Sequence, residues 1–320
     1  MPPSFRVHSR AFVVYLTTLA LCAVARAGEI HDAAARGDVE RVKALLAADP
    51  SLITAQGYND RTPLHEAASH NQIVIAKVLL MAKANVDARA AANRTPLWEA
   101  IAADSRAMVE FLLANDADID LVADGRTPLC EATSRGNLPI VQLLLDNGAD
   151  PNIGTATALF EAAQASNKAV LELLLTRGAD VNAAGSGGYT PIAGAILSNN
   201  EEFLELLIVH GANVNHKGRN GWTPLHDAAS SVGRVGNREK IVKLLIAKGA
   251  DVNAETSIGL TPLKVAERDG RKEVVAILRA HLAGGEQTSP IVWIAVLLTV
   301  GVVSVLIIWK CDPQRKASTR

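Results

Sequence analysis

Three cysteines in 320 residues cannot hold this chain together, and two of them, Cys22 and Cys311, lie inside or beside terminal apolar segments. Cys130 is left alone in the middle, which excludes an intrachain disulfide and a cysteine-based metal site there. Aromatic residues make up only 4% of a chain that is 49% hydrophobic, so a core must come from Ala, Leu and Val on small, closely packed helices. Catalytic signatures are missing as well. No H-E-x-x-H, G-x-S-x-G, P-loop or Gly-rich dinucleotide turn occurs, so the chain reads as non-enzymatic, with no cofactor and no small-molecule substrate.

What is present begins with the two ends. Residues 1–27 carry Arg6 and Arg10, then an apolar run from Ala11 to Ala25, then Ala25-Arg26-Ala27. A positive start, an apolar core and a small-x-small pattern predict a secretory signal peptide cut after Ala27, with an uncleaved anchor as the alternative. Residues 290–309 contain no charge, and twenty residues of helix span about 30 Å, the hydrocarbon thickness of a bilayer. Trp293 and Trp309 stand near the two ends of this run, and Lys310, Arg315, Lys316 and Arg320 follow it. The expectation is one transmembrane helix over 290–309, a cytoplasmic tail over 310–320, and everything between 28 and 289 outside the cytoplasm.

Between the ends one phrase recurs. Thr-Pro-Leu-His stands at 62 and at 223, with TPLW at 95, TPLC at 127, TALF at 157, TPIA at 190 and TPLK at 261. The threonines are spaced 33, 32, 30, 33, 33 and 38 apart. An eighth, degenerate copy precedes them, with Ile30 and His31 where Leu64 and His65 stand. Each threonine suits an N-cap, and the following Pro at the first helical position loses nothing, because its missing N–H would be unpaired there. Leu64, Ala67 and Ala68 make one narrow apolar face on a helix of about two turns. A polar break such as Arg135-Gly136-Asn137 ends it, and Ile140, Val141, Leu144 and Leu145 mark a second helix. Gly148, Gly178, Gly211 and Gly249 follow where a left-handed cap is expected. Two helices this short cannot bury their faces alone, so neighbours must stack into a continuous core.

The T-P-L-H-x-A phrase, with GADVN behind it, resembles the ankyrin repeat family over residues 28–283. The resemblance implies an all-α solenoid of about eight helix-turn-helix repeats, with hairpin fingers such as Asn182 to Tyr189 along one edge. It also implies a concave surface of fingers and first helices that binds partner proteins, and structural hydrogen-bonding roles for His65 and His226. Several positions depart from the pattern. Lys83 and Asp116 replace the cap glycine, at about 1 kcal/mol each if a left-handed residue is kept. The fifth copy lacks Pro and has a short finger, and the seventh carries about five extra residues within Ser230 to Lys240. Residues 284–289 read as a linker to the membrane.

Two columns are candidates for partner binding. The residue after the motif's fourth position is Asp32, Glu66, Glu99, Glu131 and Glu161, then Gly194, Asp227 and Val265. Stacking would align five consecutive acids into an anionic stripe; the alternative is ordinary solvated glutamates favoured by the helix dipole. The second column is aromatic: Trp98 and Phe160 in the histidine slot, Tyr189 and Trp222 just before the motif threonine, and Tyr58 in the first finger. Such residues serve either as interface anchors or as packing at the finger base. Residues 28–216 hold 24 acids and 13 bases, net −11, and residues 217–289 hold 8 acids and 12 bases, net +4. The acidic, membrane-distal part points to a basic protein partner and away from nucleic acid. No histidine cluster offers three ligands, so no metal is expected. The function that follows is a membrane-anchored protein-interaction module; the alternative is a stoichiometric inhibitor or immunity protein that occludes a basic enzyme or toxin.

Overall fold

A computed structural model of the chain describes residues 26–154, 157–185, 188–231 and 238–285. Sixteen α-helices stand among the described residues, arranged as eight pairs. They are α1 (residues 26–36) and α2 (Val39–Ala48), α3 (Pro63–Ser69) and α4 (Ile73–Met81), α5 (Pro96–Ala102) and α6 (Arg106–Leu113), α7 (Pro128–Ser134) and α8 (Leu138–Asp146). The second half repeats the plan: α9 (Ala158–Ala165) and α10 (Lys168–Thr176), α11 (Pro191–Leu197) and α12 (Glu201–Val209), α13 (Pro224–Ala229) and α14 (Glu239–Ala247), α15 (Pro262–Arg268) and α16 (Lys272–Gly285). First helices pack on first helices of neighbouring pairs, and second helices on second helices, in two layers.

The motif residues do locally what their chemistry predicts. The hydroxyls of Thr95, Thr127, Thr157 and Thr261 accept from the backbone N–H three residues on, at 3.2–3.3 Å. In the fifth pair Ala158 replaces Pro at the first helical position and the Thr157 cap still forms. Behind each cap the same small apolar face is buried: Leu64, Ala67 and Ala68, then Leu97, Ala100 and Ile101, and so on to Leu225, Ala228 and Ala229. Second helices contribute matching triplets, such as Ile75, Ala76 and Leu79, or Val170, Leu171 and Leu174. These side chains form one core running the length of the stack, which is why no pair needs an aromatic centre.

The left-handed caps are kept whether or not glycine is present. Lys83 takes φ 73° and Asp116 φ 62°, at the station where Gly148 and Gly178 take 89° and 84°. Past each cap a side-chain ladder ties the loops together. Asp118 N–H donates to Asp87 (3.0 Å), Asp150 to Asp120 (3.2 Å), Asp180 to Asn152 (2.9 Å), Asn213 to Asn182 (2.7 Å) and Asp251 to Asn215 (2.7 Å). The repeated A-D-x-N phrase is thus a hydrogen-bonded spine that fixes the spacing of the repeats.

The fingers are tight turns, not strands. Among the described residues the only β pairing is an isolated bridge between Ala123 and Arg126. Among the described residues six fingers close with a backbone N–H to carbonyl bond onto the residue before the motif threonine, as in Gly57 to Arg61 (2.8 Å), Ala90 to Arg94 (2.9 Å) and Gly218 to Trp222 (2.8 Å). Positive-φ tips, such as Asn59 and Asp60 or Asn220 and Gly221, turn the chain, and that tightness leaves no length for a two-stranded ladder.

The signal segment up to residue 25, the transmembrane stretch 290–309 and the tail 310–320 lie outside the described residues. Among the described residues no helix is long and apolar enough to cross a membrane. Residues 26 and 27, beside the expected cleavage point, belong to α1, and the Ala27 carbonyl lies 2.5 Å from His31 Nδ1. Helix α16 runs through Gly285, two residues into the stretch read as linker.

Candidate functional site

The finger side of the stack is built from the fingers and the exposed edges of the first helices, so the caps and turns place the candidate residues. The acidic column does come together in space, but as an ion-paired seam. Arg61 Nε lies 2.9 Å from Glu66 and its Nη1 3.2 Å from Glu99; Arg126 reaches Glu131 at 3.4 Å and Glu161 at 2.6 Å; Arg135 reaches Glu131 at 2.6 Å. Glu99, Glu131 and Glu161 are buried. Neither of the two readings of this column, an open anionic stripe or freely solvated glutamates, describes the seam. Three finger and helix arginines pair with these four glutamates, because a carboxylate withdrawn from water needs a cation or several donors in its place. The sequence carried the signal: Arg61, Arg94 and Arg126 each stand directly before a motif threonine, five residues ahead of Glu66, Glu99 and Glu131.

The aromatic column divides in two. Trp98 and Phe160 are buried at 3% and 7% exposure, because the histidine slot points under the next finger; Arg94 lies over the Trp98 ring at 5.9 Å. These two present little surface to a partner. Tyr58 is 85% exposed and Tyr189 50%, and Tyr189 leans on Phe160 with ring centroids 5.9 Å apart. Trp222 is half-buried, with its ring centroid 5.3 Å from that of His226 and the two planes tilted by 37°.

His65 and His226 are structural. The His65 Nδ1 accepts from the Thr62 backbone N–H at 3.1 Å, which leaves Nε2–H to donate to the Arg94 carbonyl of the next repeat at 3.0 Å. His226 repeats the arrangement with Thr223 (3.2 Å) and Leu260 (2.9 Å). Burial disfavours the imidazolium and pushes the His65 pKa down to about 4, against the opposing pull of the Arg94 carbonyl; His226 is lowered for the same first reason.

A pocket of about 320 Å³ opens between the sixth and seventh repeats, a feature that column reading missed. Tyr189 and Trp222 wall it, Ala193 and Leu197 of α11 line one side, and Asp227 of α13 lines the other. Its origin is local. Ala193 stands where His65, Trp98, Cys130, Phe160 and His226 stand in other repeats, so the volume of one large ring under the finger is vacant. Next to it, Gly194 lets α11 settle onto α9: a Cβ there would lie 2.6 Å from the Phe160 carbonyl oxygen. The Trp222 indole N–H donates to Asp227 Oδ1 at 2.7 Å. Burial pushes the Asp227 pKa up to about 6, opposed by that bond and by the charge of Arg238.

The family model described as ankyrin repeats (3 copies) matches residues 30–123, 118–185 and 184–256. Two curated proteins of Arabidopsis thaliana are similar over shorter stretches. Serine/threonine-protein kinase VIK is 40% identical over 77 residues, which are 24% of this chain and 18% of that protein. E3 ubiquitin-protein ligase KEG is 36% identical over 107 residues, 33% of this chain and 6% of that protein. The chain therefore spans less than a fifth of either relative. Among solved structures, the human ASB11 ankyrin repeat domain aligns with a TM-score of 0.54 at 27% identity, covering 68% of this chain and 98% of that one.

Proposed function

The chain belongs to the ankyrin repeat family, generally a protein–protein interaction module, and on that premise we propose that it is a non-catalytic docking protein held at a membrane. The solenoid lies outside the cytoplasm and grips a protein partner with its finger tips and concave edge. The observation that carries this reading is the exposure of Tyr58 and Tyr189 on tightly closed turns. The stack does not need these rings for its core, and rigid, exposed aromatics bind at low entropic cost. The charge-free run of residues 290–309, with its basic tail, supports the anchor and its orientation. VIK and KEG are named as a kinase and a ligase, but the match spans so little of either that neither activity is carried over to this chain.

A photo-crosslinking residue at position 58 or 189, compared with one at Val209 on the second-helix layer, tests the surface. The expected result is one common partner trapped from both finger positions and not from 209; equal trapping from all three, or from 209 alone, sinks the reading. Protease added outside sealed cells tests the topology. The repeats are expected to be digested there, and their protection with Met1 retained would overturn the extracytoplasmic assignment.

A further inference from the structure

The seventh repeat breaks the column in a specific way. In the second to fifth repeats Glu66, Glu99, Glu131 and Glu161 each face an arginine supplied by a finger, Arg61 or Arg126. At the corresponding place before Thr223 the finger carries Trp222, and five residues on stands Asp227. The Trp222 indole takes one oxygen of that carboxylate, and the finger column supplies no guanidinium. Directly in front lies the pocket vacated at Ala193, with the ring of Tyr189 on its far wall.

We propose that this pocket is a subsite for an arginine side chain of a partner protein, whose guanidinium completes the Asp227 carboxylate and lies between Tyr189 and Trp222. The inference rests on the protein-docking reading above and names the chemistry that one part of that surface selects. Shape argues for it, and so does the placement of the Asp227 carboxylate, the one acid among the described residues lining the pocket. At about 320 Å³ the pocket sits at the lower limit of small-ligand sites, about 300 Å³, a scale suited to one long side chain. A planar guanidinium donates to a carboxylate and stacks on aromatic faces at once, which an ammonium does less well. A guanidinium and an imidazole also line the pocket. Arg219 is exposed and His216 half-buried, so water and salt screen Arg219 in particular, whereas the desolvated Asp227 acts at shorter range and lower dielectric. Arg238 donates to the Asp227 main-chain carbonyl at 2.6 Å and its charge also acts on the carboxylate, so the guest guanidinium would be the second cation at Asp227 and the first to reach it from the pocket.

The test uses the full chain in detergent, labelled with nitrogen-15 at its four tryptophans; Trp222→Phe assigns the indole resonance that reports on the Asp227 bond. The probes are N-acetyl-arginine methylamide and its uncharged isostere N-acetyl-citrulline methylamide. The arginine probe is expected to shift the Trp222 indole resonance and the citrulline probe to leave it in place. Asp227→Asn keeps an acceptor for the indole and removes the charge; Ala193→His refills the slot with the residue found in the second and seventh repeats. Each is expected to weaken the arginine probe about tenfold or more, at least about 1.4 kcal/mol. Equal shifts from both probes, no shift from either, or unchanged binding in both variants overturns the subsite. Crosslinking at Tyr58 reads the wider docking surface independently, so it still succeeds if only the arginine subsite fails.

Discussion

Acid should loosen this solenoid first where His65 clamps the second repeat to the third. The buried imidazole is held neutral, with Nδ1 accepting from Thr62 and Nε2–H donating to Arg94, and its pKa lies at about 4 in the fold against 6.5 when free. The sign follows from which state takes the proton. Between these values the unfolded chain binds a proton and the folded chain does not, so the stability present above pH 6.5 is lost as pH falls toward 4. The loss attributable to His65 is about 2 kcal/mol at pH 5 and about 3 kcal/mol by pH 4. His226, lowered in the same direction, adds to it. Asp227, raised to about 6, acts oppositely: its burial costs least when it is protonated, so it recovers stability as pH falls below 6. Urea unfolding followed by circular dichroism at pH 7, 5 and 4, with hydrogen exchange over residues 62–95, measures the balance for the wild type and for His65→Gln. The variant should be less stable at pH 7 yet lose about 2 kcal/mol less than the wild type between pH 7 and 5. Parallel acid curves for the two proteins would refute the neutral clamp.

Lys83→Gly should stabilise the chain by about 1 kcal/mol, since Lys83 holds φ 73° without the freedom of glycine; thermal melting reads it, and a lowered midpoint would contradict the cap assignment. Gly194→Ala should destabilise by about 1–3 kcal/mol, because its Cβ meets backbone atoms, Phe160 O at 2.6 Å and Gln164 N at 3.2 Å, which cannot swing aside. An unchanged urea midpoint would show that α11 can slide on α9. Arg126→Met should cost about 2 kcal/mol, taken below the usual figure for a buried pair because Arg126 is 35% exposed. The damage should fall on the fifth repeat, where Glu161 loses its partner, and less on the fourth, where Glu131 keeps Arg135. Uniform loss of exchange protection along the stack would argue against that ordering.

Much of the architecture was legible because each repeat is specified locally. A threonine cap, a Pro at the first turn and a Leu–Ala–Ala face act within eight residues, and a side chain with no aromatic bulk packs the same way in every copy. The left-handed stations were legible for the same reason: Lys83 and Asp116 keep the turn, since losing the loop spine would cost more than one strained φ. The site was less legible. Reading Glu66, Glu99, Glu131 and Glu161 as a column was sound as geometry, yet whether they were open to a partner depended on Arg61 and Arg126, and each arginine also reaches forward into the following repeat. The same holds for Trp98 and Phe160, whose slot is roofed by the next finger and thus buried.

By itself, then, the sequence determined the repeat, its helix pairs, its caps and the register that stacks them, because those depend on interactions between residues close together in the chain. Only the tertiary structure decided which polar groups pair with one another and where the finger side is hollow. Those outcomes arise about thirty residues apart, as from Arg126 to Glu161 or from Ala193 to Trp222, where one repeat's missing or added side chain is answered by its neighbour's.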